Sequence, residues 1–205
     1  MNTKLAHHIH QHFLEHPSPH TSADKHLKWI AYAVTGCARA CGVRSNSDWK
    51  RQVVLVAITE SIRYLLVDNV KKWTNQQRPA PSTGHHSFPS GHTSSAFAGA
   101  TFLHQEIGHK FPALSVAAYL AAGWSGYLRV AKNRHWLKDV VAGAAVGIAA
   151  ASISRWMVGE LEKAHARRLA KQSGMTGVGV EVIMEKENHD DDAVPAPGHY
   201  GTAAI

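Results

Sequence analysis

Apolar positions along the chain recur at the three-to-four-residue spacing of helices, and no stretch shows the alternation of a half-buried strand. Five helix-length segments follow from that spacing. The first runs from about His26 to Val43. The second, from Trp49 to Lys72, sets Val53, Val56, Ile58, Ile62, Leu65 and Leu66 around two charged interruptions, Glu60 and Arg63. The third starts at His92 and ends near Gly108. Phe111 to Leu128 carries no charged residue, and Val140 to Ser154 is a second uncharged run rich in Ala, Gly and Val. The expected fold class is therefore all-α, a helical bundle. Gly143 and Gly147, four apart, predict a close helix contact of the kind used in lipid and in soluble bundles alike.

A chain of 205 residues with 44% apolar content supports one core and is short for two. The expected organisation is a polar N-terminal arm over residues 1–25, a helical domain over 26–170 and a disordered tail over 171–205. The arm and its margin are crowded with His7, His8, His10, His12, His16, His20 and His26, without the fixed spacing of a metal site, so a solvated arm is the expectation. In the tail, Asn188 to Asp192 reads as a solvated acidic run rather than a metal site. Cys37 and Cys41 are read as small buried side chains, not as a disulfide or redox pair.

Charge narrows the partners. The 22 Lys and Arg exceed the 15 Asp and Glu, giving a formal +7. No groove-reading motif accompanies the basic residues, which excludes nucleic acid as the favoured partner and leaves an anionic membrane surface or an anionic substrate. Only Phe111 to Leu128 approaches the roughly 20 apolar residues of a membrane span, and the mean hydropathy of −0.22 is low for an embedded protein. The loops nevertheless sort by charge. If the five segments alternate across a bilayer, Arg44, Lys50, Arg51, Lys110 and the Lys163 to Lys171 cluster share one side, as the positive-inside bias requires. The expectation is membrane residence with a site on the other face.

That other face receives three clusters in fixed order: Lys71-x6-Arg78-Pro79, Pro89-Ser90-Gly91-His92, and Arg129-x5-His135-x3-Asp139. A phosphate ester spreads negative charge over its oxygens in the transition state, so a catalyst must hold fixed cations and donors there. Arg78 and Arg129 supply planar forks and Lys71 a point charge. Ser90 offers a hydroxyl, Gly91 a close backbone approach, and the helix opening at His92 a positive end. His135 lies one turn before Asp139, so the carboxylate can orient the ring and stabilise the cation formed when it attacks phosphorus. His92 then protonates the leaving oxygen and activates water. Cationic side chains neutralise the charge, so the reading requires no metal or other cofactor.

In these clusters the chain resembles the type 2 phosphatidic acid phosphatase family, which includes bacterial acid phosphatases, glucose-6-phosphatase and vanadium haloperoxidases. Every position of the family signature is met except one, where Leu128 replaces a Ser before Arg129. The resemblance covers about Val53 to Trp156 and implies a bundle of five to six core helices with the site at one end. By that resemblance Lys71, Arg78, Ser90, Gly91 and Arg129 hold phosphate, His135 is the nucleophile, Asp139 its partner and His92 the general acid. It implies a metal-independent phosphatase acting on a lipid phosphate or pyrophosphate, in the bacterial inner membrane with the site facing the periplasm. A vanadate-dependent haloperoxidase and a soluble acid phosphatase remain the alternatives. Oligomeric state and substrate identity are not legible.

Overall fold

The computed structural model describes residues 23–173, together with His8, Gln11 and His12. Most of the expected arm, and the expected tail beyond its first three residues, lie outside the described residues. Five helices follow one another: α1 Ala23–Ala40, α2 Trp49–Thr74, α3 Gly91–Ile107, α4 Pro112–Ala131 and α5 Leu137–Ser173. No strand occurs among the described residues. The chain forms two compact units, Met1–Gly159 and Glu160–Ile205.

Local chemistry sets the helix ends. Asp48 caps α2 by accepting from the backbone N–H of Arg51 at 3.1 Å and of Lys50 at 3.2 Å. Asn75, in the left-handed region with φ 40°, closes α2 by donating its N–H to the Lys71 carbonyl. Ser90 caps α3, and Pro112 opens α4 where its missing N–H costs nothing.

An alanine-rich seam joins three helices, with Ala31 from α1, Ala96, Ala100 and Leu103 from α3, and Ala118 and Ala122 from α4. A second cluster packs Leu55 of α2, Phe102 of α3 and Val158 of α5. Small residues let backbones approach. A Cβ added at Gly143 would stand 2.5 Å from the Ser90 carbonyl oxygen, and one at Gly147 would strike that of Ser94. The close contact expected of this glycine pair is therefore α5 against α3. Thr59 and Ser154, 2.6 Å apart and both buried, tie α2 to α5.

The charged interruptions of α2 turn inward as a pair. Glu60 accepts from Tyr32 Oη at 3.0 Å and from Arg63 Nε at 2.8 Å, and Arg63 also donates to Ser94 Oγ at 3.3 Å. Glu106, fully buried near the C-terminus of α3, accepts from Arg155 at 2.7 Å, from Ser47 and from Gln52. Such fully partnered carboxylates fit a low-dielectric surrounding, where an unpaired charge would be prohibitive.

Two expectations need correction. Among the described residues the one helix long and apolar enough to cross a membrane is residues 137–172, which contains an 18-residue stretch of mean hydropathy 1.5, rather than the segment at 111–128. The latter lacks charges, but Ser, Gly, Tyr and Trp dilute its hydropathy. Cys37 and Cys41 are exposed, because α1 turns that face away from the core.

Candidate active site

All three clusters meet at one end of the helices of the first unit. The spacers that separate the motif residues are turns that bring them there. Between Arg129 and His135 the chain folds back on the end of α4, so that the Arg129 carbonyl accepts from the N–H groups of both Arg134 and His135, with Asn133 left-handed at φ 51°. Between Lys71 and Arg78 the left-handed Asn75 turns the chain out of α2, and Gln76 and Gln77 then reach the third cluster. Gln76 Nε2 donates to Asp139 Oδ1 at 3.3 Å, and Trp136 Nε1 donates to the Gln77 carbonyl at 3.1 Å.

Asp139 is fully buried at the centre. It stands in the first turn of α5 and accepts from the Trp136 N–H at 2.9 Å, the reciprocal half of a capping box. The Ser87 hydroxyl donates to the same oxygen at 2.5 Å. The backbone carbonyl of Asp139 in turn accepts from the Ser90 N–H at 2.9 Å, locking the second cluster to the third.

His135 is 3% exposed. Its Nδ1 lies 2.8 Å from the Ser87 carbonyl oxygen and 3.7 Å from Asp139 Oδ2. Both neighbours only accept, so Nδ1 carries the proton and Nε2 keeps its lone pair. The expectation that the carboxylate orients the ring is thus refined: the Ser87 peptide makes the hydrogen bond, and Asp139 stands behind at ion-pair range. Burial, followed by the charges of Arg129, Lys71 and Arg78, lowers the His135 pKa against the opposing pull of Asp139. A neutral imidazole is the result.

The cations sit close enough to feel one another. Lys71, in the last turn of α2, donates to the His86 carbonyl at 2.7 Å, and its pKa is lowered to about 8 by burial, then by Arg78, with Arg129 adding to the effect. An anion shared by the three would relieve that repulsion. Arg78 is held by its N–H to the Gly84 carbonyl.

Ser90, fully buried, uses its Oγ first for the fold, accepting from Thr93 Oγ1 at 2.9 Å and, more weakly, from the Thr93 N–H at 3.4 Å. Gly91 has room for a Cβ, whose nearest contact would be Val67 at 3.7 Å, so no protein neighbour demands glycine there. His92 is half-buried in the first turn of α3. Leu128 is 4% exposed, an apolar side chain taken into the interior. Sequence reasoning missed Ser87 and Gln76. Ser87 lies within the Val53 to Trp156 span of the resemblance, but its hydroxyl and carbonyl contacts, across about fifty residues of chain, leave no local pattern.

Comparison with known proteins places these residues in a family. The PAP2 superfamily model matches residues 4–163. The chain is 35% identical over 139 residues to lipid A 1-phosphatase of Porphyromonas gingivalis, covering 67% of this chain and 31% of that protein. It is 43% identical over 75 residues to lipid phosphate phosphatase 1 of Arabidopsis thaliana, covering 31% of this chain and 23% of that protein. The chain thus spans about a third or less of the length of these relatives. In three dimensions it is similar to the crystal structure of Aquifex aeolicus LpxE, with a TM-score of 0.52 and 27% identity over 75% of this chain and 93% of that one.

Proposed function

This chain belongs to the PAP2 superfamily, and we propose that it is a membrane phosphatase that releases phosphate from a lipid phosphate monoester or pyrophosphate through a phosphohistidine on His135. The observation that carries the reading is the Ser87–His135–Asp139 arrangement, which leaves Nε2 as the unprotonated nitrogen among three cations.

The steps balance as follows. Nε2 of His135 forms a bond to phosphorus as the ester P–O bond breaks, and His92 gives its proton to the leaving oxygen. His92, now neutral, takes a proton from water as the hydroxide oxygen bonds to phosphorus and the P–N bond breaks. Phosphate leaves, and both histidines regain their starting states. Lys71, Arg78 and Arg129 hold the charged oxygens throughout, and Asp139 stabilises the imidazolium character of the phosphorylated ring.

Membrane residence is supported by α5 and by the apolar side chains that α2 and α4 leave exposed, among them Val53, Leu65, Leu66, Val116 and Leu120. Burying them in lipid removes these apolar side chains from water. Arg44, Lys50, Arg51 and Lys110 lie at the helix ends opposite the site, which by the positive-inside bias supports a site on the outer face. With a bacterial relative, that means the periplasmic side of the inner membrane.

The relatives named above are phosphatases, which favours phosphate release over halide oxidation. A panel of lysophosphatidate, phosphatidylglycerophosphate, prenyl pyrophosphate, lipid A and an aryl phosphate, scored by released phosphate, tests the proposal. Release from at least one lipid is expected. Turnover of the aryl ester alone would overturn the lipid assignment.

A further inference from the structure

The three residues that meet behind the nucleophilic nitrogen, Ser87, His135 and Asp139, are buried, and each is preceded in the chain by an exposed basic residue: His86, Arg134 and Lys138. Contacts of 2.5, 2.8 and 3.7 Å join the buried three. Consecutive Cα atoms are only about 3.8 Å apart, so those contacts also gather the exposed three at one rim of the site. His86 is already engaged there, its Nδ1 3.0 Å from the Lys71 carbonyl oxygen. Arg134 and Lys138 are not. Among the described residues neither the Arg134 guanidinium nor the Lys138 ammonium has a hydrogen bond or an ion pair. Residues 75–90 and 132–136, the loops that frame the site, contain no Asp or Glu. Asp139 is occupied inward by Ser87, Gln76 and the Trp136 N–H, and Asp68 holds Lys72 at 2.6 Å.

The two cations are badly placed for an empty rim. Lys138 stands in the first turn of α5, at the positive end of the helix, where a cation is repelled. Both adjoin a site that already gathers Lys71, Arg78 and Arg129. Both belong to the face proposed as outer, where Lys and Arg are ordinarily sparse. A bound anion turns the repulsions into attraction. The reacting phosphate meets the buried His135, whereas Arg134 and Lys138 are exposed beside it, so the anion they suit is a second one.

We infer that Arg134 and Lys138 form a second anion site, which holds a further phosphate of the same substrate a short linker away from the one attacked. The enzyme thereby selects lipid phosphomonoesters whose headgroup carries another phosphate. The inference rests on the phosphatase reading above and deepens it to a substrate class.

Phosphatidylglycerophosphate and phosphatidate with the same acyl chains are the matched probes. Both present a phosphomonoester on a primary glycerol carbon, and only the first carries a second phosphate across a glycerol. In micelles of an uncharged detergent, the wild-type kcat/KM is expected to favour phosphatidylglycerophosphate about tenfold, the scale of two exposed charge pairs. That preference should shrink as salt approaches 1 M, where the screening length is about 3 Å. Arg134→Gln combined with Lys138→Gln is expected to cut kcat/KM for phosphatidylglycerophosphate about tenfold more than for phosphatidate. Arg134→Lys combined with Lys138→Arg keeps both charges and is expected to retain the preference.

A wild type that treats the two lipids alike, or a preference indifferent to salt, overturns the inference. So does a double Gln variant that keeps the preference, or one that loses both activities equally, which would assign the cations to folding or to a general attraction for anionic surfaces. Failure of the underlying reading looks different. No phosphate released by the wild type from either lipid overturns the lipid phosphatase and the second site together, whereas release from both without a preference overturns the second site alone.

Discussion

The Ser87 carbonyl oxygen is 2.8 Å from Nδ1 of His135, nearer than the Asp139 carboxylate at 3.7 Å. A peptide carbonyl cannot titrate, so the tautomer that leaves Nε2 available is held by the backbone. Asp139 contributes charge, and it reaches the same serine through the hydroxyl at 2.5 Å.

Replacing the carboxylate should therefore cost less than in a triad where the carboxylate fixes the tautomer, for which the loss is about 10⁴ in kcat. Asp139→Asn is expected to lower kcat about 100-fold with little change in KM. Ser87→Ala, which keeps the carbonyl and removes one charge-assisted hydrogen bond, is expected to lower it about tenfold. Steady-state kinetics on both variants checks the order. A larger loss in Ser87→Ala than in Asp139→Asn would contradict it.

The lowered His135 pKa keeps the ring neutral, and hence nucleophilic, below its ordinary value of 6.5. As pH falls, activity is lost only when the ring finally protonates. The acid limb of kcat/KM should thus lie below pH 6.5. An acid limb above that value would mean that Asp139, which raises the pKa, outweighs burial and the cations.

Lys71 has the opposite consequence at the alkaline side. Its pKa of about 8 means that the ammonium is lost as pH rises through that value. Sulfate, which has no proton to exchange in this range, is expected to inhibit competitively about tenfold more weakly at pH 9 than at pH 7, following the charged fraction of Lys71. In Lys71→Arg the guanidinium stays charged, and the pH dependence should flatten.

Gly143 lets α5 rest against the Ser90 carbonyl. The same contact holds Asp139 in place, through the Ser90 N–H to its backbone carbonyl. Gly143→Ala is expected to destabilise by about 1–3 kcal/mol and to lower activity, because the helix must move away. Gly159→Ala meets no neighbour within 4 Å and should be neutral or stabilising by about 0.5–1 kcal/mol. Thermal unfolding in detergent with parallel phosphate-release assays distinguishes the two.

Much of the arrangement was legible because motif spacing is a direct consequence of backbone turns. The five residues between Arg129 and His135 are the fold-back at the end of α4, and the three between His135 and Asp139 are the entry into α5. Helix number and order also followed from periodicity. The termination of α5 did not: after Ser154 the pattern becomes amphipathic and charged, yet Glu160, Lys163 and their neighbours are good helix formers, and the helix continues to Ser173. Ser87 was invisible for a different reason. Its importance lies in a carbonyl and a hydroxyl that contact residues 48 and 52 positions away, and such contacts exist only once the chain has folded. The hydroxyl of Ser90 was legible, but its engagement as a helix cap was not.

The nucleophile is the centre of the account, and trapping the intermediate tests it most directly. Wild-type protein and His135→Ala, matched for folding by thermal unfolding, are mixed with phosphorus-32-labelled lipid phosphate and quenched within milliseconds. An acid-labile, alkali-stable phosphoryl label mapping to His135 in the wild type, absent from the variant along with phosphate release, is the predicted result. Undiminished turnover in His135→Ala, or a label on another residue, would contradict it.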